Sequence, residues 1–169
     1  MAAVLTVRVY TGSSAATESA SVTGIDWISA DNATNSSGNR TANQVAKGSA
    51  SYEKHLRLHI DTPPANGVGN FLWWMGTTAT TYIALRAKEA VGTGGASPGT
   101  GDSTPTATAM TGDIDAYTRT ASAQGTWDSG SYSATNAVTE GLLLQLQPDS
   151  SASTGAILQQ AINFQYDEW

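Results

Sequence analysis

Apolar and polar side chains alternate most clearly over residues 52–61. Most even-numbered positions are apolar, whereas the odd-numbered positions carry Glu53, His55, Arg57, His59 and Asp61. A period of two is typical of a β-strand with one face in the core and the other facing outward. The run ends at residues 63–64, because the two prolines there lack the amide hydrogen that a ladder needs. The pattern predicts a strand whose charged face points to solvent or to a subunit contact.

The next apolar run has a different pattern. Phe71, Trp73 and Met75 fall on one face of an extended chain, but Leu72 and Trp74 fall on the other. A strand that is apolar on both faces needs cover on both sides. In a polar, strand-rich chain a partner protein could supply the second cover. The run therefore indicates assembly rather than catalysis.

The rest of the chain also favours short strands. The patterns predict strands at 4–10, 22–28, 80–87, 140–147 and 157–166, a strand or irregular segment at 110–120, and one helical turn around 154–160. Segments 31–48 and 91–106 are rich in small polar residues and predict loops, the second of them exposed. We expect a single all-β domain over residues 1–169, an antiparallel, jelly-roll-like β-sandwich with long Gly/Ser/Thr-rich loops and with its termini as candidate docking arms.

Composition narrows the range of functions. Charged residues make up 13% of the chain, against roughly 25% in an average domain. The net charge is −6 and the cations do not cluster, so we expect neither nucleic-acid binding nor attraction to an anionic membrane. No apolar run approaches the roughly 20 residues of a membrane span. The N-terminus lacks a signal-peptide pattern, and we expect synthesis in the cytoplasm.

The two histidines do not predict a metal site. His55 and His59 are four residues apart, which is roughly 13 Å along a strand and too far for one ion to bridge. We interpret them as polar residues on a solvent or interface face. If both line a subunit contact, their protonation near pH 6 could tune assembly.

The remaining candidate metal and catalytic sites have little support in the sequence. Asp113 and Asp115, with Asp102 upstream, are carboxylates of the kind that bind calcium, but the spacing of a calcium loop is missing and solvated acids are the simpler interpretation. The chain has no cysteine and no hydrolase or phosphate-loop motif. We expect a protein that is not an enzyme and that has no cofactor and no metal.

Tryptophan is frequent for so polar a chain, with five residues. Because Trp73 and Trp74 are adjacent in a strand, one enters the core and the other is a candidate interface anchor or a platform for a sugar ring. Trp169, which follows two acidic residues, is a second docking candidate. With the first strand included, the predicted interface residues are Tyr10, Leu72, Trp74 and Trp169.

Three segments carry a resemblance to a known group. SYEKHLRLH at 51–59, followed by Pro63-Pro64 and VGNFLWW at 68–74, together with INFQYDE at 162–168, resembles small virion proteins of tailed bacteriophages. The resemblance implies a β-sandwich or jelly-roll module and carries no catalytic residues. It implies a virion structural protein, either a capsid decoration (cement) protein or a minor capsid protein, that stabilises subunit junctions on the capsid surface. The expected partners are the major capsid protein or other virion proteins, and further copies of the chain, with a homotrimer as the expected oligomer.

Two alternatives stay open within this interpretation. The chain could be a tail, neck or baseplate component of the same virion. It could also be a carbohydrate-binding receptor module that stacks an exposed aromatic ring on a sugar. Exposed, coplanar aromatic residues in a groove would favour the carbohydrate module, whereas an aromatic residue buried by a neighbouring subunit would favour the structural protein.

Overall fold

The computed structural model describes residues 2–91, 105–154 and 159–169. Most of the predicted 91–106 loop and of the predicted helical turn at 154–160 lies outside the described residues, as does Asp102. The strands are β1 Val4–Thr11, β2 Thr17–Glu18, β3 Lys54–Thr62, β4 Val68–Met75, β5 Ile83–Val91, β6 Ile114–Asp115, β7 Gly125–Tyr132, β8 Ala137–Val138, β9 Gly141–Pro148 and β10 Ile162–Glu168. A short helix, α1, spans Ser37–Ala42, and 3₁₀ turns span Ser13–Ala15 and Ala116–Thr118.

The strands form two antiparallel sheets. The large sheet has seven strands in the order β2-β1-β3-β9-β5-β6, with β8 paired to β3. The small sheet has three strands in the order β10-β4-β7. The predicted all-β antiparallel sandwich is confirmed, whereas the jelly-roll connectivity stays a prediction.

The core lies between the two sheets. From the large sheet, β3 contributes Leu58 and Ile60, both fully buried, as the alternation of residues 52–61 predicts. The three even-numbered leucines of β9 join them, at positions 142, 144 and 146. From the small sheet, β4 contributes Phe71 and Trp73, which are also fully buried. One face of each sheet therefore supplies the main apolar core.

The charged face of β3 differs from the prediction, because it is buried rather than solvated. Glu53, His55, Arg57 and His59 are 7%, 1%, 0% and 6% exposed. Segments distant in sequence fold over this face. The Arg57 Nη1 donates to the Thr139 carbonyl at 3.3 Å, and the Thr139 hydroxyl accepts from the Leu58 amide at 3.0 Å. Since the cover comes from elsewhere in the chain, the alternation within β3 could not reveal it.

Several element predictions are also corrected. No strand forms at 22–28; that segment runs beside β1 and is held at Val22, whose amide donates to the Val7 carbonyl at 2.9 Å. The predicted 31–48 loop contains α1, which is capped by the Ser36 hydroxyl accepting from the Asn39 amide at 3.1 Å. Strands β2, β7 and β8 were not predicted, since β7 is largely polar and contains glycine, and β2 and β8 have only two residues each. No helix in the described part of the chain has the length and apolar character needed to cross a membrane.

Candidate contact surface

The second face of β4 points away from the core. Trp73 and Trp74 are neighbours with opposite environments: Trp73 is fully buried, whereas Trp74 is half-buried and does not pack against the core cluster. Leu72 has the same environment as Trp74, since it is also half-buried and also lies outside the core cluster. The structure therefore brings two of the four predicted interface residues onto one surface of the small sheet.

Trp169 lies beside the beginning of β4. Its amide donates to the Gly67 carbonyl at 3.2 Å, and its indole lies over Gly67 and Gly69. A Cβ built on Gly69 would come within 2.8 Å of the ring atom Cη2, so the absence of a side chain there makes room for the indole. The residue is still 50% exposed. Trp169 is thereby fixed on the small sheet while half of its surface remains open.

Uncharged residues flank Leu72 and Trp74 on both neighbouring strands. Leu72 lies between Gln165 of β10 and Thr126 of β7, and Trp74 lies opposite Asn163 of β10. Residues opposite each other in a ladder share a face. We call these five residues, together with Trp169, the outer face of the small sheet: Leu72, Trp74, Thr126, Asn163, Gln165 and Trp169.

Leu72 and Trp74 have no ionisable ladder partner on β10 or β7. The carboxylate of Asp167 lies further along the same face, opposite Gly69, and accepts from the Asn70 side-chain amide at 2.8 Å. Sequence analysis identified the three apolar members but not Thr126, Asn163 and Gln165. The alternation of β10 did place Asn163 and Gln165 on one face, but nothing in the sequence paired that face with β4.

Tyr10 does not belong to this surface. Its side chain is completely buried and packs with Ala15 and Val138 on the far side of the large sheet. The Arg57 guanidinium lies 5.5 Å from the Tyr10 ring centre. Burial and the nearby Glu18 carboxylate raise the pKa of Tyr10. The expectation that Tyr10 contacts a partner is therefore corrected, because other parts of the same chain cover it.

Trp73 anchors β4 from the core side. Its indole nitrogen donates to the Glu89 carboxylate of β5 at 2.9 Å. Arg119 donates to the same carboxylate through Nε at 2.8 Å and Nη2 at 2.7 Å, which is a two-point ion pair. This network ties the small sheet to the large one directly behind Trp74. The outer face is thus supported by a rigid layer.

The buried charged face of β3 has its own electrostatics. Burial, and then the charge of Arg57, lower the pKa of His55 to about 4. On the opposite face of β3, burial lowers the pKa of Lys54 to about 8, while its ammonium donates to the Asn32 carbonyl at 2.8 Å. His55 is therefore neutral at pH 7, and its ring is buried in the fold rather than available to a partner.

His59 lies at the edge of that layer between two carboxylates. Its Nδ1 is 2.9 Å from Asp61, and its Nε2 is 4.0 Å from Glu18. Arg8 bridges the same two carboxylates. One arginine is therefore paired with both acids and neutralises part of their charge. Within residues 2–91, 105–154 and 159–169, no three His, Asp or Glu residues are arranged to hold a metal.

Asp113 and Asp115 have structural partners. The Asp113 carboxylate forms an ion pair with Arg86, whose Nε lies 2.9 Å away. Asp115 caps the 3₁₀ turn that follows it by accepting from the Tyr117 amide at 3.0 Å. Both aspartates are thus engaged in ordering the segment between β5 and β7.

In comparisons with known proteins, no protein-family model, no curated protein and no solved structure matches this chain. The interpretation of the surface consequently depends on its own geometry. Large apolar side chains on a rigidly backed sheet face can exclude water against a complementary surface. That is the chemistry of a contact surface.

Proposed function

We propose that this chain is a virion structural protein of a tailed bacteriophage, and that it is a capsid decoration (cement) or minor capsid protein. The proposal combines the resemblance carried by residues 51–59, 63–64, 68–74 and 162–168 with the sandwich fold. Its partner is the major capsid protein or another virion protein. Its role is mechanical: it covers a junction between capsid subunits and adds buried area that opposes the pressure of packaged DNA.

The observation that carries the proposal is the outer face of the small sheet. Leu72, Trp74 and Trp169 are three large apolar side chains outside the core, and each gains free energy when a partner removes it from water. Tryptophan in particular dominates the energy of many protein contacts. Because the ladder partners of Leu72 and Trp74 are uncharged, covering these two side chains desolvates no ion paired with them.

The test is co-sedimentation of the purified protein with undecorated capsids of its phage. We expect saturable binding at a fixed ratio to capsid subunits. Trp74→Ala should weaken this binding at least 10-fold, as for an interface anchor that contributes more than about 1.4 kcal/mol. Tyr82→Ala is the matched control, since Tyr82 is another exposed aromatic residue, 57% exposed, that lies outside the outer face.

Two results would contradict the proposal. Absence of the protein from capsids, with its recovery in tails, would assign it to the tail, neck or baseplate. Equal losses of capsid binding in Trp74→Ala and Tyr82→Ala would remove the outer face as the contact.

A carbohydrate-binding receptor module is the second candidate. It is favoured by the side-chain amide of Asn163, which lies opposite Trp74 and could bind hydroxyl groups beside a stacked sugar ring. A glycan screen of the wild type and of Trp74→Ala tests it. A glycan that binds the wild type and not the variant would support this candidate over capsid binding.

A further inference from the structure

The sandwich has four sheet edges, and three of them are blunted. The large sheet ends on β2 and β6, which have two residues each. The small sheet ends on one side at β7, whose ladder with β4 is interrupted by two register shifts. Very short edge strands and bulges are devices that prevent pairing with another chain. These three edges are therefore poor templates for a further strand.

The fourth edge, β10, lacks such protection over most of its length. It has seven residues, and the five from Ile162 to Tyr166 are uncharged. Residues 162–165 pair regularly with β4 on one side only, and a register shift follows at Tyr166. Within the part of the chain that the structure describes, no backbone group of another segment bonds to these five on the open side. The N-terminal segment approaches only the end of the strand, where the Ala3 amide donates to the Glu168 carboxylate at 2.9 Å.

We propose that the open edge of β10 pairs with β10 of a second copy of this chain. The two strands run antiparallel about a two-fold axis at Gln165. The two small sheets then form one continuous six-stranded sheet across the dimer. Such an interface is isologous, because each copy contributes the same residues.

The sequence of β10 is complementary to itself in this register. An axis at Gln165 places Phe164 of one copy opposite Tyr166 of the other, and Asn163 opposite Asp167. Aromatic pairs are favourable cross-strand neighbours, and an amide can donate to a carboxylate. Within one chain the Phe164 and Tyr166 rings already stack at 6.5 Å, so the dimer extends an existing aromatic row.

Charge disfavours a register shifted by two residues toward the C-terminus. An axis two residues later would place Asp167 opposite Asp167 of the other copy, and like charges directly opposite are destabilising. With the axis at Gln165, the two acidic residues at the end of each strand face Asn163 and Ile162 instead. Because each copy carries a net charge of −6, the uncharged part of β10 at 162–166 is also a surface at which two copies can approach.

The pairing is independent of what the outer face contacts. Edge pairing leaves the outer face of the small sheet uncovered, and it places the outer faces of the two copies side by side on the same surface. The dimer can therefore be tested on the free protein, and its failure would leave the capsid-binding proposal untouched.

The test compares two lysine substitutions that flank Leu72. Gln165→Lys and Thr126→Lys both add one positive charge at an exposed position of the outer face, but only Gln165 lies on the open edge. We expect the wild type to be a dimer in sedimentation equilibrium. Gln165→Lys should raise its dissociation constant on the order of 100-fold, because the two lysines meet at the axis. Thr126→Lys should change the constant less than about 3-fold.

A mixing experiment tests the axis itself. Gln165→Lys and Gln165→Glu should each be monomers, whereas an equimolar mixture should form a heterodimer of wild-type affinity. Circular dichroism of each variant alone checks that the fold is retained. A monomeric wild type, a trimer unaffected by Gln165→Lys, equal effects of the two lysine substitutions, or no heterodimer in the mixture would each overturn the proposal.

Discussion

The charged face of β3 is buried, whereas the outer face of the small sheet, which includes part of β4, is partly exposed. The first carries Glu53, His55, Arg57 and His59, and all four are at least 93% buried. The second carries Leu72 and Trp74, and both remain partly in water. Side-chain polarity alone would have reversed these locations. Whether a strand face is buried therefore depends on where the rest of the chain packs, and not only on the polarity of its side chains.

The cover of β3 comes from three distant segments. Thr139 bonds to Arg57 and Leu58, Ala15 packs with Tyr10, and Gln145 binds the segment around Thr108 beside them. On the outer side of β4, Trp169 lies over Gly69, but Leu72 and Trp74 remain partly exposed. A buried ionic layer is costly unless each group is compensated, so the covered face is constrained within the chain. The uncovered face is the one that we propose contacts another molecule.

The largest expected effect comes from deleting a buried charge. Arg57→Ala should lower the free energy of unfolding by about 4 kcal/mol, because it empties a fully buried volume and leaves its partners unpaired. Trp74→Ala should cost only about 1 kcal/mol, although tryptophan is the more apolar residue. Urea unfolding followed by circular dichroism measures both.

Trp73→Ala is the control for this pair. It removes the same side chain from the adjacent position, and it should cost about 3–5 kcal/mol because Trp73 is fully buried. A loss for Trp74→Ala as large as that for Trp73→Ala would contradict the comparison, since Trp74 would then be a core residue.

The next effect is the dependence of stability on pH. The pKa of His55 is 6.5 in an unfolded chain and about 4 in the fold, so the unfolded chain takes up the proton first. Stability from this group is complete above pH 6.5 and is lost as the pH falls to 4, by about 3 kcal/mol in all. The difference between the wild type and His55→Gln across this range isolates the contribution.

The comparison with His55→Gln is necessary because other groups change the stability in the opposite direction as the pH falls. Burial raises the pKa values of Glu53 and Glu140, so these carboxyls favour the folded chain as the pH falls. A wild-type minus His55→Gln difference that stays constant from pH 6.5 to pH 4 would show that His55 is solvated.

The smallest expected effect tests how Gly141 packs against His55 on the charged face of β3. A Cβ on Gly141 would come within 1.9 Å of His55 Nε2, so Gly141→Ala should cost about 2 kcal/mol through overpacking. In a His55→Ala background the cost should be smaller, although contact with the Val91 carbonyl, 2.9 Å from the new atom, remains. Equal costs in the two backgrounds, in thermal unfolding, would contradict this contact.

Much of the sandwich was predictable because its central strands obey local rules. The alternation in β3, the leucines of β9 and the prolines at 63–64 depend only on neighbouring residues. The strand predicted at 22–28 was wrong, and β7 was missed. In both regions the backbone conformation depends on non-local contacts, such as the bond from Val22 to Val7 and the pairing of β7 with β4.

The candidate surface was predictable in part for a similar reason. The adjacency of Trp73 and Trp74 requires opposite faces in any strand, so one tryptophan was certain to lie outside the core layer. Trp169 was predicted at the surface, but its position over Gly69 depends on the pairing of β10 with β4. Tyr10 was misassigned because the residues that cover it, such as Val138, are far away in sequence.

The side chain of Gln145 holds the segment at 105–110 beside β9 through hydrogen bonds to its backbone, as a neighbouring strand would. It accepts from the Met110 amide at 2.8 Å and donates to the carbonyls of Ser51 and Thr108 at 3.0 Å and 2.8 Å. A single amide thus replaces the backbone ladder that would otherwise hold this segment. In hydrogen–deuterium exchange, the Met110 amide should open together with β9 rather than with a loop, although it belongs to no strand.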